Sequence, residues 1–289
     1  MSAHLDEFLI DVKQQKEWGL LVITYLFLGG AGAGLFLVSL YMAHPWAETF
    51  GLLVLILGTF FLMLDLGRPE RFWRAFSRAR SSWISRGCYG ITALVLLGGL
   101  NVFSDFTASD WGMLTTVLKV GAAVAAVAVM IYTGFVLSPS AAIPFWNSTF
   151  FPIIFFAYSL LAGIDLLILA SPILPPPAID LAQLEKIQFG LVLLCLLLVM
   201  SHLSVMSGSA VAARQSIQLL TRGKWAVLFI GGVIGIGLVI PLLLASPVLW
   251  QASFQTVFAV TALLALLRLF GDYLFRFLVI RAGLYDPLL

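Results

Sequence analysis

The chain has 289 residues, of which 61% are hydrophobic and 10% are charged, with a formal net charge of +2 and a mean hydropathy of +1.06. A soluble globule of this length leaves much of its side-chain surface in water and could not hide so much apolar area. The composition therefore excludes a soluble protein and predicts an integral membrane protein. It also excludes a transmembrane barrel, because the chain lacks segments of about ten residues with alternating polarity.

A charged tail, residues 1–17, precedes the first apolar segment. That segment, Trp18–Ala43, is too long for the apolar core of a signal peptide, and we interpret it as a retained helix. Stretches of about 18 or more mostly apolar residues predict spanning helices. About eight occur, near 18–43, 49–66, 84–103, 113–137, 149–170, 184–208, 225–246 and 250–275.

The connections between these segments are short, so consecutive helices are expected to pack as antiparallel neighbours. The predicted fold is an all-α integral membrane protein made of two four-helix bundles. The N-terminal bundle comprises residues 18–137 and the C-terminal bundle residues 138–289, with a seam between 138 and 148.

Lysine and arginine are distributed unevenly between the two membrane faces. With eight spans, one face holds thirteen of the sixteen, and the other holds Lys119 and Lys186. Cytoplasmic loops carry an excess of these residues, so both termini are predicted to be cytoplasmic. The thirteen are Lys13, Lys16, Arg68, Arg71, Arg74, Arg78, Arg80, Arg86, Arg214, Arg222, Lys224, Arg276 and Arg281.

The sequence offers almost no ligands for a redox metal. Its histidines are His4, His44 and His202, which provide no facing pair for haem, and Cys88 and Cys195 match no iron–sulfur or zinc spacing. We interpret both cysteines as small buried hydrophobes. His202 is left open between a hydrogen-bonded packing residue, which is favoured, and a ligand. Electron transfer by this chain would depend on a metal centre in a docked partner.

Lys119, Asp165, Arg268 and Asp272 lie inside the predicted spans, and Asp65 closes the second span. Such residues are costly in a bilayer and are functional candidates by default. Arg268 and Asp272 are spaced i,i+4, so we expect them to neutralise each other on one helix face. Asp165 has no partner nearby in the sequence. It is a candidate for proton transfer, with a hydrogen-bonded packing role as the alternative.

Glycines cluster in the first and seventh segments. Gly30 and Gly34, and likewise Gly231 and Gly235, have the spacing that lets helix backbones approach closely. Tight helix packing is the expected role, and a flat groove for a ligand ring or an isoprenoid tail is the alternative.

A polar and aromatic stretch, Leu64–Trp73, follows the second segment. Pro69 is expected to end the helix, and residues 68–80 are typical of an interfacial amphipathic segment. In the turn that Asp65 begins, a buried acid and the cation of Arg68 can reach one another.

Topology brings this turn to the same membrane face as the start of the first helix, at Trp18, and the end of the fourth, at Tyr132. A phenol, a carboxylate and an arginine at the mouth of an apolar bundle can donate hydrogen bonds to a quinone carbonyl and accept protons from a quinol. The residues therefore predict a quinone site in the N-terminal bundle.

The motifs resemble those of the polysulfide reductase membrane subunits of the NrfD/PsrC type. The similar segments cover most of the first half of the chain: Trp18, Tyr25–Gly30, Leu64–Trp73, Ser85–Gly87, Tyr132–Gly134 and Pro144–Asn147.

This resemblance implies a quinone-reactive anchor with no haem or iron–sulfur cluster of its own, in a bacterial or archaeal cytoplasmic membrane. Its quinone would be menaquinone or ubiquinone. Its partners would be a ferredoxin-like iron–sulfur subunit and a molybdopterin-type catalytic subunit. The resemblance also implies that Tyr132, Asp65 and the start of helix one border the quinone site. Some members carry His or Asn early in helix one, where this chain has Gln14, Gln15 and Glu17.

The expected function is thus the quinone-reactive subunit of a respiratory oxidoreductase, distinct from the subunit that carries the catalytic metal. A secondary transporter is one alternative, which the placement of proline near helix ends, as at Pro152 and Pro241, disfavours. A purely structural anchor is the other, but it would need neither Asp65 nor Tyr132 at the bundle mouth.

Overall fold

The computed structural model describes residues 12–78, 80, 82–108, 111–175, 180–248 and 254–286. Most of the predicted tail, residues 1–11 with His4, lies outside these ranges. Within them the chain is built from nine α-helices, one 3₁₀ helix and one π-helix. The α-helices are α1 (Leu20–Tyr41), α2 (Pro45–Asp65), α3 (Trp83–Phe106), α4 (Met113–Phe135), α5 (Phe150–Ala170), α6 (Leu181–Ser207), α7 (Val211–Thr221), α8 (Ile240–Val248) and α9 (Phe254–Arg281).

Two further helices are of other types. The predicted amphipathic segment after α2 contains a 3₁₀ helix, Pro69–Phe76, with no buried residue. A π-helix, Val227–Val239, leads directly into α8.

Local sequence signals explain several helix starts. Pro45 occupies the first turn of α2, where a missing N–H costs nothing, and the His44 ring accepts a hydrogen bond from the Ala47 amide. Ser82 caps α3, and Asp180 caps α6 through a 3.0 Å bond from the Gln183 amide.

Seven helices of the described ranges are long and apolar enough to cross a membrane. The eighth predicted segment, near 250–275, forms α9, whose 28 residues give a length of about 42 Å. This helix carries three buried charged side chains, which distinguish it from the other long helices. The seven spans are Leu20–Tyr41, Pro45–Leu64, Trp83–Phe106, Met113–Phe135, Phe150–Ala170, Gln183–Ser207 and Val227–Ala245.

Small residues bring α1, α2 and α5 into close contact. A Cβ added at Gly32 would lie 2.8 Å from the Gly51 carbonyl oxygen of α2. On the neighbouring face of α1, a Cβ at Gly34 would lie 2.8 Å from the Ser159 carbonyl carbon of α5. The expected packing role of the first glycine cluster is confirmed. One hydrophobic cluster contains residues from both halves of the chain, between Ile23 and Ala282. The division into two bundles near residue 138 therefore stays a prediction.

The packing glycines of the seventh segment differ from those expected. A Cβ at Gly237 would lie 2.6 Å from the Gly271 Cα of α9, and Gly232 faces Leu274 of the same helix. Gly231 has open space around it, and Gly235 meets its own helix. The expected Gly231–Gly235 pair is therefore wrong. A π-helix bonds i to i+5, so residues five apart, such as 232 and 237, share a face.

The chain ends of the described part meet beside α1. The Gln15 amide donates to the Gly283 carbonyl at 3.0 Å, and the Tyr285 amide donates to the Lys13 carbonyl at 2.9 Å. Gln14 bonds the Arg281 carbonyl and accepts from Lys224 at 3.2 Å. The residues before α1 are thereby attached to the end of α9.

Candidate functional site

A cavity of about 450 Å³ lies at the end of the molecule where α1 begins and α2 ends. Its walls come from the start of α1, the end of α2, the 3₁₀ helix, the start of α3 and the end of α4. We call this end of the molecule the cavity face. Most of the lining is apolar, and its few polar side chains are Glu17, Tyr25, Thr59, Asp65, Thr92 and Tyr132.

Four of the six residues predicted from the sequence line this cavity: Trp18, Glu17, Asp65 and Tyr132. Antiparallel helices of similar length bring every second connection to the same face, and this parity explains why Trp18, Asp65 and Tyr132 lie together. Gln15 and Arg68 are not among the lining residues.

Tyr132 lies deep in the cavity wall, with 6% of its surface exposed. Its hydroxyl oxygen accepts a hydrogen bond from the Tyr25 hydroxyl at 3.1 Å, so its own proton is free for a ligand. The ring lies against Gly87 of α3, where a Cβ would overlap the ring. Gly87 thus provides the space that the phenol occupies.

Sequence reasoning missed Tyr25 as a site residue. Trp18, Val22 and Tyr25 are spaced i, i+4 and i+7, and all three line the cavity. This spacing marks one face of a helix. Reading the face of α1 that continues from Trp18 would have identified Tyr25.

Gln15 supports the site from outside. Its side-chain oxygen accepts from the Trp18 amide at 3.0 Å, and its nitrogen donates to the Ile280 carbonyl at 2.9 Å. The Trp18 ring contacts the Trp146 ring at 5.5 Å between centroids, and Trp146 donates to the Val279 carbonyl. Gln15 therefore fixes the backbone at Trp18, and its contact with a ligand stays a prediction.

The expected pairing of a buried Asp65 with Arg68 is wrong. Both side chains are exposed, and they form no ion pair within the described part of the chain. Arg68 precedes the 3₁₀ helix. That helix turns Phe72, Ala75 and Phe76 toward the cavity. Because α2 ends at Asp65, the following residues leave the apolar layer and remain accessible to water.

His202 has the contacts of a hydrogen-bonded packing residue, which was the favoured interpretation. Its Nδ1 lies 3.2 Å from the Ser148 hydroxyl oxygen, and its ring contacts Phe145, Phe150 and Phe151. No group of three or more His, Cys, Asp or Glu side chains suited to a metal ion occurs within the ranges that the structure describes.

A second group of polar side chains is buried between α5, α6 and α9. The Arg268 Nε lies 2.8 Å from Asp165, and its terminal nitrogens bond both carboxylate oxygens of Glu185 at 2.7 and 3.2 Å. Gln188 donates to Asp165 at 2.6 Å and accepts from Arg268 at 2.6 Å. We call these four residues the buried ionic cluster.

The expected Arg268–Asp272 pair is wrong, since each residue has another partner. Asp272 pairs with Arg276 at 2.8 Å, one turn further along α9. Arg276 also donates to the Leu26 carbonyl of α1 at 2.9 Å. It is fully buried, so it does not belong to the basic loops. The rotation of α9 about its axis brings Arg268 to acidic side chains on α5 and α6. Contacts between helices that are distant in the sequence leave no pattern in the local residue spacing. Lys119, which the sequence also placed within a span, pairs with Asp105 at 3.6 Å near the surface.

The comparisons with known proteins agree with these features. The polysulphide reductase, NrfD family profile matches residues 9–286. The protein is 26% identical over 299 residues to the C subunit of the polysulfide reductase of Wolinella succinogenes, covering 92% of the present sequence and 94% of that subunit. It is 25% identical over 309 residues to protein NrfD of Escherichia coli, with the same two shares. A helical, multi-pass membrane architecture and a match across nearly the whole sequence together place this protein in the polysulphide reductase NrfD family.

Proposed function

We propose that the chain is the quinone-reactive membrane subunit of a respiratory oxidoreductase complex, and that the cavity binds the quinone head group. The observation that carries the proposal is the Tyr132 phenol, which lines an apolar cavity and whose hydroxyl oxygen accepts from Tyr25, so that its own proton can serve a ligand. The cavity volume of about 450 Å³ lies within the roughly 300–1,000 Å³ of small-molecule sites.

Each polar residue has a definable role in this proposal. Tyr132 donates a hydrogen bond to a quinone carbonyl. Asp65 and Glu17 lie on the cavity wall and belong to segments at the water-exposed end, where they can pass a proton between the ligand and the aqueous phase. The apolar lining from α1, α2 and α3 suits a ring and the first units of an isoprenoid tail.

The sequence supplies no cluster of metal ligands, so electrons must pass directly between the cavity and a metal centre in another subunit. We propose an iron–sulfur partner that docks on the cavity face, with a molybdopterin-type subunit beyond it. An arginine surface borders the cavity there, formed by Arg68, Arg71, Arg74, Arg78, Arg80 and Arg86, all exposed. An acidic partner surface would complement it.

We also propose that Asp165 takes part in proton transfer. The buried ionic cluster sets two carboxylates against one guanidinium, and the Asp165 Oδ2 has no hydrogen-bond partner among the described residues. An uncompensated charge is costly when buried, so this cluster favours binding one proton.

One experiment tests the quinone assignment. The complex is purified, its lipid extract is analysed for quinone, and Tyr132→Phe and Asp65→Asn variants are compared in turnover with quinone and with a soluble dye. We expect bound quinone in the wild type, reduced quinone turnover in the variants and unchanged dye activity. Wild-type quinone turnover in the double variant would exclude the site, and absence of quinone would favour a structural anchor or a transporter.

A further inference from the structure

At the end of the molecule opposite the cavity face, Glu48 and Asn101 form a fully buried acid–amide pair. Glu48 lies in the first turn of α2, and Asn101 lies near the end of α3. The Asn101 side-chain nitrogen donates to the Glu48 Oε2 at 2.8 Å. Along α2, Glu48 is about 25 Å from Asp65 at the cavity. The pair is therefore separate from the candidate quinone site.

This pair leaves two buried acceptors without a donor. The Glu48 Oε1 and the Asn101 Oδ1 have no hydrogen-bond partner in the part of the chain that the structure describes. Buried polar atoms are nearly always hydrogen-bonded, and a buried charge needs a close partner. An ionised Glu48 would have neither a cation in contact nor a donor on its second oxygen. A proton on Glu48 removes the charge and supplies a donor.

A short polar path connects the pair to the surface. The same Asn101 nitrogen donates to Asp105 Oδ2 at 3.2 Å, and Asp105 Oδ1 lies 3.6 Å from Lys119 of α4. The Asp105 and Lys119 side chains are 22% and 41% exposed. Asp105 therefore links the buried pair to the surface beside α4.

The other polar groups around Glu48 do not compensate its charge. On α1, the Ser39 hydroxyl is buried without a partner, and the contact of Gly51 with Phe36 sets a register that brings Ser39 opposite Glu48. His44, just before α2, uses both ring nitrogens elsewhere, on the Ala47 amide and the Pro175 carbonyl.

We infer that Glu48 is a proton-binding site, which holds one proton beside Asn101 and exchanges it by way of Asp105 with the aqueous phase opposite the cavity face. This role does not depend on quinone binding. It rests on the two unpaired acceptors, on the full burial of both side chains and on the path to the surface.

Infrared spectroscopy of the full chain in lipid nanodiscs tests this proposal. The difference between the wild-type and Glu48→Gln spectra should contain the carbonyl band of a protonated carboxylic acid. A difference that contains carboxylate bands instead would show that Glu48 is ionised and would overturn the proposal. Glu70→Gln is the matched control, because Glu70 is exposed on the 3₁₀ helix and should contribute only carboxylate bands.

Isotope labelling keeps the test independent of any variant. Carboxyl-labelled glutamate in the wild-type chain should shift a protonated-acid band, since the other fully buried glutamate of the described ranges, Glu185, has both carboxylate oxygens bonded by the Arg268 guanidinium. A protonated-acid band that shifts only with labelled aspartate would overturn the assignment.

Hydrogen–deuterium exchange and the pH dependence of stability also report on the Glu48 proton. Asp105→Asn should slow hydrogen–deuterium exchange of the Glu48 band by roughly tenfold or more, because it removes a relay carboxylate. The folded chain would hold a proton that the unfolded chain releases near neutral pH, so thermal stability should fall as the pH rises. Glu48→Gln should remove this part of the pH dependence. An identical pH dependence in both proteins would contradict the proposal.

Discussion

The Tyr25 hydroxyl donates a hydrogen bond to the Tyr132 hydroxyl oxygen at 3.1 Å across the wall of the cavity. The bond joins α1 to α4 and leaves the Tyr132 proton available at the cavity wall. A phenol held in this way presents a fixed donor to a ligand carbonyl. In the proposed quinone site the two tyrosines act as one unit, in which Tyr132 is the donor to the ligand and Tyr25 sets its orientation.

Tyr25→Phe should lower quinone turnover by roughly 2- to 13-fold, because a typical hydrogen bond contributes about 0.5–1.5 kcal/mol. Tyr132→Phe should lower it further, since it removes the donor itself. The two effects should not add, and a double-mutant cycle measures the coupling. Additive losses would mean that Tyr25 does not act through Tyr132. Activity with a soluble dye should persist in all three variants.

Gly87→Ala should strongly reduce quinone turnover while the protein still inserts into the membrane. The new Cβ would overlap the Tyr132 ring and displace the phenol. Gly90→Ala is the matched control one turn along α3, where the Cβ would meet only Val129 at an ordinary 3.5 Å. Quinone turnover of purified complexes decides the matter. Equal turnover in the two variants would show that the Tyr132 position is not critical.

Gly163→Ala should destabilise the fold by about 1–3 kcal/mol or more, because overpacking a close contact forces the backbone apart. Its Cβ would lie 2.9 Å from the Gly34 Cα, where α1 and α5 touch. Gly190→Ala, at a glycine with open space around it, should leave stability nearly unchanged. Thermal unfolding in detergent compares the two. A stable Gly163→Ala protein would contradict this helix contact.

Asp165→Asn should abolish proton-coupled activity if Asp165 transfers protons, and Asp165→Glu should retain part of it. Both variants keep a polar group beside Arg268 and Gln188. Proton uptake by proteoliposomes during turnover provides the measurement, with thermal stability as the control for folding. Full proton-coupled activity in Asp165→Asn would assign the residue to packing alone.

The cavity face is expected to lie in the cytoplasm. Twelve of the sixteen Lys and Arg residues remain on its side after Arg276 is assigned to the interior of α9. An impermeant thiol reagent applied to intact cells should label Ile173→Cys, beyond α5, but not Ser77→Cys, after the 3₁₀ helix. The wild type, with Cys88 and Cys195, gives the background. The reverse labelling pattern would place the cavity face and the docked partner outside.

The sequence by itself determined the class of protein and most of the helices. Long apolar runs have one stable solution in a bilayer, the hydrogen-bonded helix, so composition and segment length were sufficient. Helix parity was also sufficient to bring Trp18, Asp65 and Tyr132 to one face. The π-helix and α7 were not predicted, because apolar content alone does not specify the hydrogen-bonding pattern or reveal a short amphipathic helix.

Only the tertiary structure decided which side chains meet. The rotation of each helix about its axis depends on packing against several neighbours at once, and a four-residue spacing cannot report it. Arg268 therefore pairs with Asp165 and Glu185 rather than with Asp272. The same packing made Tyr25 a partner of Tyr132, across 107 residues of sequence. Local periodicity specified the helices, and long-range packing between them specified the cavity.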